Sequence, residues 1–365
     1  MATSSVLQIR PKLAVAFTSR KMRLVTAIAA ALSFVIILYW YMPASLQPHL
    51  PHTSSVDWST FAYTQYVTNS EYLCNSVMLF EVLHRLGSKA DRVIMYPSGM
   101  VDPTATHADD DDARLLLQAR DEYGVHLVPI SIRHRDGADR TFPVSFNLFL
   151  LTGAATWADS FTKLLAFNQT AYKRVLSLDS DSTILQPMDE LFLLPPCPVA
   201  MPRAYWLFPD NPILSSQVIL IQPSAVEFER IVEKIDGAGS GDYDMEIVNE
   251  LYKDSAMVLP HRPYDLLTGE FGSDDHTHYL GTDREEWDPV AIYNEAKFLH
   301  FSDWPVPKPW LTMPDNLRAK KQPACQVKDE VEDCTAREIW NGIYDDFRVR
   351  RERVCGRSLG NRRRG

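Results

Sequence analysis

Apolar stretches alternate with amphipathic segments along most of the chain, beginning near Trp58. Residues 61–67 are predicted to form a strand, and residues 72–86 a helix with its apolar side chains on one face. Gly87 supplies the expected stop of that helix. Further strands are predicted at 91–96, 125–132, 174–178 and 218–221, and further helical segments at 113–123, 162–167 and 225–235. Such strand–helix units are typical of an α/β domain with a mostly parallel sheet, which is the fold class that we expect.

An uncharged apolar stretch of nineteen residues lies near the N-terminus, at 24–42. As a helix with a rise of about 1.5 Å per residue, it would span close to the roughly 30 Å of a bilayer core. Five basic residues precede it and the next one after it is Arg85, so we expect a cytosolic tail at 1–23 and all later residues across the membrane. A cleaved signal peptide is the alternative, but the bulky aromatic residues before Pro43 favour an uncleaved signal anchor. Residues 43–56, rich in proline and serine, are interpreted as a stem.

Composition and charge indicate a globular domain that does not bind nucleic acid. The chain has 365 residues, 45% of them hydrophobic, with a formal net charge of -10, whereas nucleic acid requires a basic surface. After Gln322 the sequence becomes charged and helical, and residues 316–365 are predicted to form an extension, either an appendage or a disordered end. The four aspartates at 109–112 are expected to cap a helix rather than to bind a metal.

Five cysteines allow at most two internal disulfides. Cys325, Cys334 and Cys355 lie close together in the sequence, so we expect a bridge among them, while Cys74 and Cys197 are expected to be buried or free. No pair of cysteines or cluster of histidines has the spacing of a zinc site. Asn168 begins a formal glycosylation sequon, Asn-Gln-Thr.

The strongest chemical signal is a pair of carboxylates at the end of the predicted strand 174–178. Asp179 and Asp181 are separated by one residue, and in extended chain such side chains project to the same side. They can therefore converge on one divalent cation, which would leave positions open for phosphate oxygens. The carboxyl end of a strand is also where open α/β sheets bind their ligands. Two alternatives stand beside this interpretation: a solvated turn, and a phosphohydrolase of Asp-x-Asp-x-Thr type with Asp179 as nucleophile.

The pair resembles the Asp-x-Asp motif of nucleotide-sugar glycosyltransferases, and the sequence Gln-Pro-Met-Asp-Glu-Leu-Phe after it is similar to the corresponding segment of glycosyltransferase family 8, the glycogenin-like family. Within that family the chain resembles the fungal Golgi N-acetylglucosaminyltransferases. The resemblance implies a GT-A-type, Rossmann-like catalytic domain, which we place at 57–315. It further implies retaining transfer of N-acetylglucosamine from a UDP-sugar to a glycan acceptor such as the mannose ends of N-linked glycans, with Mn²⁺ as cofactor, in a type II Golgi membrane protein.

The same resemblance implies roles for residues that bind the donor. Thr68-Asn69-Ser-Glu-Tyr72 is similar to the family's Thr-Asn-Asp-x-Tyr, so Thr68 and Asn69 would bond the uracil and Tyr72 would stack on it. Lys163 matches a family lysine that reaches the donor. Without the resemblance, Tyr72 would be interpreted as a core residue as readily as a binding residue. Lys163 would be interpreted as a solvated side chain.

The resemblance also covers two later segments. Asp244-Met-Glu246 resembles Asp-Gln-Asp, which implies contacts from Asp244 and Glu246 to the donor sugar or the acceptor. The segment from His300 to Lys308 resembles His-Phe-x-Gly-x-x-Lys-Pro-Trp, with Asp303 in place of the glycine and two inserted residues. It implies that His300 is the third metal ligand, beside the two aspartates, and that Lys308 meets the diphosphate. Apart from the resemblance, His300 would be interpreted as a packed core residue.

Two functional alternatives remain open at this stage. A phosphohydrolase would release free phosphate rather than UDP, and its motif would lie near the start of its domain. A membrane-anchored, sugar-binding homologue without activity would bind UDP in the presence of metal but transfer nothing.

Overall fold

The described part of the chain is built around one large mixed sheet. The computed structural model describes residues 56–131, 160–239, 241–328 and 330–360, together with Ile28 and Ser33. The predicted signal anchor at 24–42 lies outside the described residues apart from these two positions, as do the predicted tail and all of the stem except Val56. Among the residues that are described, no helix is both long and apolar enough to cross a membrane.

Twelve strands occur in the described residues. They are β1 Phe61–Tyr66, β2 Asp91–Pro97, β3 Val125–Ile130, β4 Arg174–Leu178, β5 Ser182–Ile184, β6 Val199–Pro202, β7 Val218–Ile221, β8 Met257–Leu259, β9 Leu266–Leu267, β10 Phe298–His300, β11 Gln326–Lys328 and β12 Val331–Asp333.

The same residues form nine α-helices and five 3₁₀ segments. The helices are α1 Ser70–Arg85, α2 Asp111–Tyr123, α3 Ala225–Asp236, α4 Asp244–Tyr252, α5 His261–Tyr264, α6 Thr277–Leu280, α7 Pro289–Glu295, α8 Asp315–Lys321 and α9 Thr335–Cys355. The 3₁₀ segments are Trp58–Thr60, Ser160–Asn168, Asp189–Leu193, Tyr205–Leu207 and Thr268–Gly272.

The central sheet has the strand order β3-β2-β1-β4-β7-β6-β8. Strands β3, β2, β1 and β4 run parallel to one another, as predicted for an α/β domain. Strand β7 runs antiparallel to both of its neighbours, β4 and β6, so the sheet as a whole is mixed. A smaller sheet, β5-β10-β9, begins directly after the carboxyl end of β4.

Both faces of the central sheet carry a cluster of buried apolar side chains, which explains why its strands are mostly apolar. Successive side chains of β1 point to opposite faces: Tyr63 joins the cluster that contains α1, while Ala62 and Tyr66 join the cluster that contains the segment Ser160–Asn168. The two layers therefore hold β4 from both sides and fix the position of its carboxyl end.

The helix ends follow the signals in the sequence. The side chain of Asn69 accepts hydrogen bonds from the first turn of α1, and the side chain of Asp110 accepts one from the backbone N–H of Ala113 at 2.8 Å. The prediction that the aspartates at 109–112 cap a helix is thus confirmed for Asp110. Gly87, predicted as the stop after α1, has a φ of +71°, a left-handed conformation that glycine adopts without strain.

The expectation that the C-terminal segment is an appendage or a disordered end is wrong for α9. This helix buries Trp340, Phe347 and Val354 in the same core cluster as α1. Arg350 donates a hydrogen bond to Thr183 Oγ1 at 2.8 Å, and Arg351 forms an ion pair with Glu71. The composition of α9 did not reveal its buried face, because polar residues outnumber buried ones along the helix.

The cysteine pairing was predicted only in part. The Cys325–Cys334 disulfide lies within the C-terminal segment, as expected. However, Cys74 is not free: it forms a disulfide with Cys355, which joins α1 to the end of α9. Cys197 is the free cysteine among the described residues. Asn168, the first residue of the sequon, is exposed.

Candidate active site

The two aspartates of the motif lie where β4 ends and β5 begins. Asp179 is held by its backbone N–H, which donates to the carbonyl of Gln217 at 2.9 Å. Strand β5 then pairs with β10 in antiparallel register, so that Ser182 lies opposite His300. In addition, the backbone N–H of Phe301 donates to the carbonyl of Asp181 at 2.9 Å. Strand pairing therefore brings His300 to the aspartates from 119 residues away in the sequence.

The three side chains that were predicted to bind metal meet at one point. His300 Nε2 lies 3.0 Å from Asp181 Oδ1 and 3.4 Å from Asp179 Oδ2, and one ligand atom from each residue lies within 4.8 Å of the others. Adjacent ligands about 2.1 Å from a hard divalent ion in octahedral geometry are about 3 Å apart. The observed separations therefore fit a single cation held by two carboxylates and one imidazole.

The charges at this point balance one another. Burial raises the pKa of Asp181, but attraction to His300 and Lys308 outweighs burial and leaves that pKa below its ordinary value. Burial lowers the pKa of His300, but Asp181 and Asp179 more than compensate and raise it to about 9. Lys308 Nζ forms an ion pair with Asp181 and lies 3.4 Å from the carbonyl oxygen of Phe301. His300 and Lys308 are thus both cationic at neutral pH and face the carboxylates.

Lys163 reaches the same acids from the opposite layer. The segment Ser160–Asn168 buries this lysine, which is 2% exposed. Its Nζ lies 2.5 Å from Asp244 Oδ2 and 3.7 Å from Asp179 Oδ1. Burial lowers the pKa of Lys163, but the attraction of these two carboxylates exceeds that effect and raises it. The sequence alone favoured a solvated lysine, and the structure shows instead a buried cation that joins two acids.

Asp244 and Glu246 differ in their surroundings although both lie in the first turn of α4. Asp244 is buried; its side chain accepts from Ser216 Oγ at 2.8 Å as well as pairing with Lys163. Glu246 is exposed, and its carboxylate accepts from the backbone N–H of Tyr243 at 3.0 Å, which caps the helix. Only Asp244 therefore belongs to the cluster of charges around the aspartate motif.

The residues predicted to bind the uracil lie at the start of α1. Asn69 Oδ1 accepts from the backbone N–H groups of Glu71 and Tyr72 at 3.0 and 3.2 Å, and Asn69 Nδ2 lies 3.4 Å from Thr68 Oγ1. Tyr72 is 8% exposed and packs edge-to-face on Trp310, with 5.2 Å between ring centroids. The side-chain carbonyl oxygen of Asn69 is thus engaged in the helix cap, and most of the Tyr72 side chain is buried in the core.

Comparison with known proteins identifies the family. The chain is 44% identical over 342 residues to glucose N-acetyltransferase 1 of Aspergillus fumigatus, an alignment that covers 88% of this chain and 84% of that protein. The chain belongs to the glucose N-acetyltransferase 1 family. It is also 61% identical over 303 residues to the protein of that name from Gibberella zeae, which covers 82% of this chain and 63% of the relative, so the chain spans less than two thirds of that protein's length.

Two further comparisons complete this result. No protein-family model matches the chain. Among solved structures, the apo form of the bifunctional glycosyltransferase WbbM aligns with a TM-score of 0.49 and 15% identity, covering 84% of this chain and 53% of that one.

One residue near the site of this family member was not predicted from the sequence. Asp265 lies immediately before β9, the strand that pairs with β10, and is fully buried. Neither of its carboxylate oxygens has a hydrogen-bond partner of normal geometry among the described residues. Burial raises its pKa to about 7, although the Ser215 hydroxyl and the charge of His300 oppose that rise. In the sequence it is a single acid before two leucines, a pattern that indicates only a turn.

Proposed function

We propose that this chain is a metal-dependent glycosyltransferase of GT-A type. It transfers N-acetylglucosamine, with retention, from a UDP-sugar to a glycan acceptor such as the mannose end of an N-linked glycan. The observation that carries the proposal is the convergence of Asp179, Asp181 and His300 at the carboxyl end of β4. The names of the two fungal relatives describe a transferase that acts on glucose, which supports a transferase with a sugar substrate.

The three converging residues would hold Mn²⁺, whose preference for carboxylate ligands they match. When bound, the cation would supply positive charge against the negative charge that develops on the departing diphosphate. Lys308 would contribute a second positive charge from the rim of the site, since its side chain is 31% exposed and can turn from Asp181 toward a phosphate. Lys163 is enclosed, so its role would be to hold Asp179 and Asp244 in place.

The remaining residues would orient the two ends of the donor. Asp244 can accept a hydrogen bond from a sugar hydroxyl, because its carboxylate lies beside the metal cluster and is fixed by Lys163 and Ser216. At the other end, the Thr68 hydroxyl and the amide nitrogen of Asn69, which lie 3.4 Å apart, would bond the carbonyl groups of uracil. Glu246 and Tyr72 would act through the positions of α4 and α1 that they stabilise.

We also propose that residues 24–42 anchor the protein in the Golgi membrane, with the catalytic residues in the lumen. The support is the uncharged stretch of nineteen residues and the basic residues before it. Protection of residues after 56 from added protease in sealed Golgi vesicles checks this location; their digestion without detergent would contradict it.

The catalytic proposal is tested with the substitution Asp181→Asn in the full chain. This change keeps the shape of the side chain but removes one charged ligand atom, so Mn²⁺ affinity and transfer should fall together. We expect kcat/KM for transfer from UDP-N-acetylglucosamine to a mannose-terminated oligosaccharide to decrease at least 100-fold. UDP release and transferred sugar are both measured, with and without Mn²⁺.

Asp210→Asn is the matched control, because Asp210 is exposed and lies outside the cluster. It should leave both Mn²⁺ dependence and transfer unchanged. Undiminished transfer by Asp181→Asn would refute the assignment of the metal site. Release of free phosphate without UDP would instead indicate a phosphohydrolase, and metal-dependent binding of UDP without turnover would indicate an inactive sugar-binding protein.

A further inference from the structure

Trp304 is unusual because it exposes a large apolar side chain only four residues from His300 and four from Lys308 in the sequence. It is 73% exposed, whereas Trp310 and Trp340 are 4% and 1% exposed. Tryptophan in folded proteins is mostly buried, and an exposed one is informative when it lies at the rim of a site. The residue belongs to the segment between His300 and Lys308, where the sequence departs from the family 8 pattern by two inserted residues.

The segment that carries Trp304 is fixed at both ends and near its middle. His300 and Lys308 both contact Asp181 through their side chains. Asp303, the residue before the tryptophan, accepts hydrogen bonds through its Oδ2 from Trp340 Nε1 at 3.2 Å and from the Tyr344 hydroxyl at 2.6 Å.

The backbone of the same segment is also held. The backbone N–H of Val306 donates to the carbonyl of Asp303 at 2.6 Å, which closes a turn around Trp304. The backbone N–H of Ser302 donates to Thr268 Oγ1 at 3.0 Å. The exposure of the indole is therefore a property of an anchored turn and not of a loose loop.

The length of the segment limits the distance of this indole from the chemistry. Trp304 is four residues from His300 and four residues from Lys308, and four residues of fully extended chain span at most roughly 14 Å. The Cα of Trp304 thus lies within about 14 Å of the Cα atoms of both residues. That distance is comparable to the length of two linked pyranose rings, so a sugar chain entering the site from solvent can reach the indole.

The chemistry of the ring selects the ligand. One face of a pyranose presents C–H groups, which pack on the flat surface of an indole, while the hydroxyl groups remain in water at the ring edge. The diphosphate of a donor would lie at the charged centre, beside Asp181 and Lys308, whereas an acceptor glycan approaches from the solvent side, where Trp304 is exposed.

We propose that Trp304 is a stacking platform for a pyranose ring of the acceptor glycan and thereby contributes to acceptor specificity. The proposal rests on the glycosyltransferase function proposed above. It assigns to the inserted turn a role that the metal and donor residues do not have: the turn selects which sugar chain is presented to the donor.

Trp304→Ala in the full chain tests this role. We expect the KM for a mannose-terminated oligosaccharide to rise about tenfold, at the lower end of the effect that loss of one aromatic partner has on the stacking of a nucleobase. The KM for UDP-N-acetylglucosamine and its acceptor-independent hydrolysis should stay within about twofold. Trp304→Phe, which keeps an aromatic face, should restore most of the acceptor affinity. Val226→Ala on α3 is the control, because Val226 is 65% exposed and lies on a different element; it should change none of these values.

Direct binding of the same oligosaccharide, measured by calorimetry with UDP and Mn²⁺ present, separates this proposal from the catalytic one. Binding that weakens in Trp304→Ala supports the platform even if the chain transfers no sugar, and such a result would refute only the proposed reaction. An unchanged acceptor KM together with unchanged binding would overturn the platform. A rise in the donor KM with the acceptor KM unchanged would also overturn it and would place the indole against the donor sugar.

Discussion

Asp265→Asn should stabilise the protein in a pH-dependent manner. Asp265 is 0% exposed, and neither of its carboxylate oxygens has a hydrogen-bond partner of normal geometry within the described structure. Burial raises its pKa from 3.8 to about 7, because an ionised carboxylate is disfavoured in the interior and the Ser215 hydroxyl and the charge of His300 offset this only in part. In the unfolded chain the same carboxyl ionises near its ordinary pKa, so the two states bind different numbers of protons between these values.

The magnitude follows from the size of the shift. Below pH 4 the carboxyl is protonated in both states and has no effect on the pH dependence. Between pH 4 and pH 7 the unfolded chain loses this proton while the folded chain keeps it, so the free energy of unfolding decreases as pH rises. The loss is complete above pH 7, where a shift of about 3 pH units corresponds to roughly 4 kcal/mol. Between pH 5 and pH 8 alone, the loss is about 3 kcal/mol by the same relation.

The asparagine variant cannot ionise and should escape this loss. Its amide has a desolvation cost of its own, but that cost is the same at both pH values and cancels in the comparison. We therefore expect the difference in unfolding free energy between variant and wild type to be about 3 kcal/mol more favourable at pH 8 than at pH 5.

Urea unfolding followed by far-ultraviolet circular dichroism, with a chelator present, measures this difference. Asp210→Asn, which removes an exposed carboxyl, should show no such pH dependence. An equal effect of Asp265→Asn at both pH values would refute the reasoning, because it would mean that the carboxyl titrates normally in the folded state.

Two further predictions concern the framework that positions the site. The double variant Cys74→Ser and Cys355→Ser opens a covalent loop of 281 residues. We expect the free energy of unfolding, measured with urea, to fall by about 5 kcal/mol, because the unfolded chain gains the entropy of that loop. A decrease below about 1 kcal/mol would contradict the entropic account. Gly269→Ala would place a Cβ 3.0 Å from the carbonyl oxygen of Ser302 and should lower both stability, by about 1–3 kcal/mol, and transfer activity, whereas Gly272→Ala in the same 3₁₀ segment meets no atom within 4 Å and should change neither.

The strand that precedes the aspartate motif could be predicted because its signal is local. Three of the five residues at 174–178 are valine or leucine, as expected of a strand covered on both faces. The acids follow immediately, and a change from apolar to acidic residues marks the end of a buried strand. The position of the motif at a carboxyl edge of the sheet therefore needed no information from distant parts of the chain.

The partners of the motif could not be predicted in the same way. His300 reaches Asp181 because the short strands β5 and β10 pair in antiparallel register, and strands of three residues carry almost no periodic signal. The family resemblance supplied His300 where the pattern of residues could not. Asp265 had neither a pattern nor a resemblance to indicate it, since its burial depends on the pairing of β9 with β10.

The C-terminal helix shows a related limit. Its net composition is charged, and Arg350 and Arg351 would both be assigned to a solvated face, yet they are 6% and 1% exposed. Each can be buried because it has a specific partner: Arg350 hydrogen-bonds to Thr183, and Arg351 forms an ion pair with Glu71. Such pairings form only in the folded chain, so composition alone wrongly predicts that this helix is an appendage or a disordered end.

The pairing of charges at the candidate site explains how residues that would bind a cation and residues that would bind a diphosphate can lie together. The acidic side chains of Asp179, Asp181 and Asp244 face the basic side chains of His300, Lys308 and Lys163. For His300 to act as a neutral ligand it must lose its proton. Asp181 faces His300 through Oδ1 and Lys308 through Oδ2, so it can bind a cation through one oxygen and hold Lys308 with the other. Lys308 lies at the rim, where a diphosphate would lie, while Lys163 is enclosed with Asp179 and Asp244. The same contacts that balance charge without metal would therefore place a cationic side chain beside the phosphates when metal and donor bind.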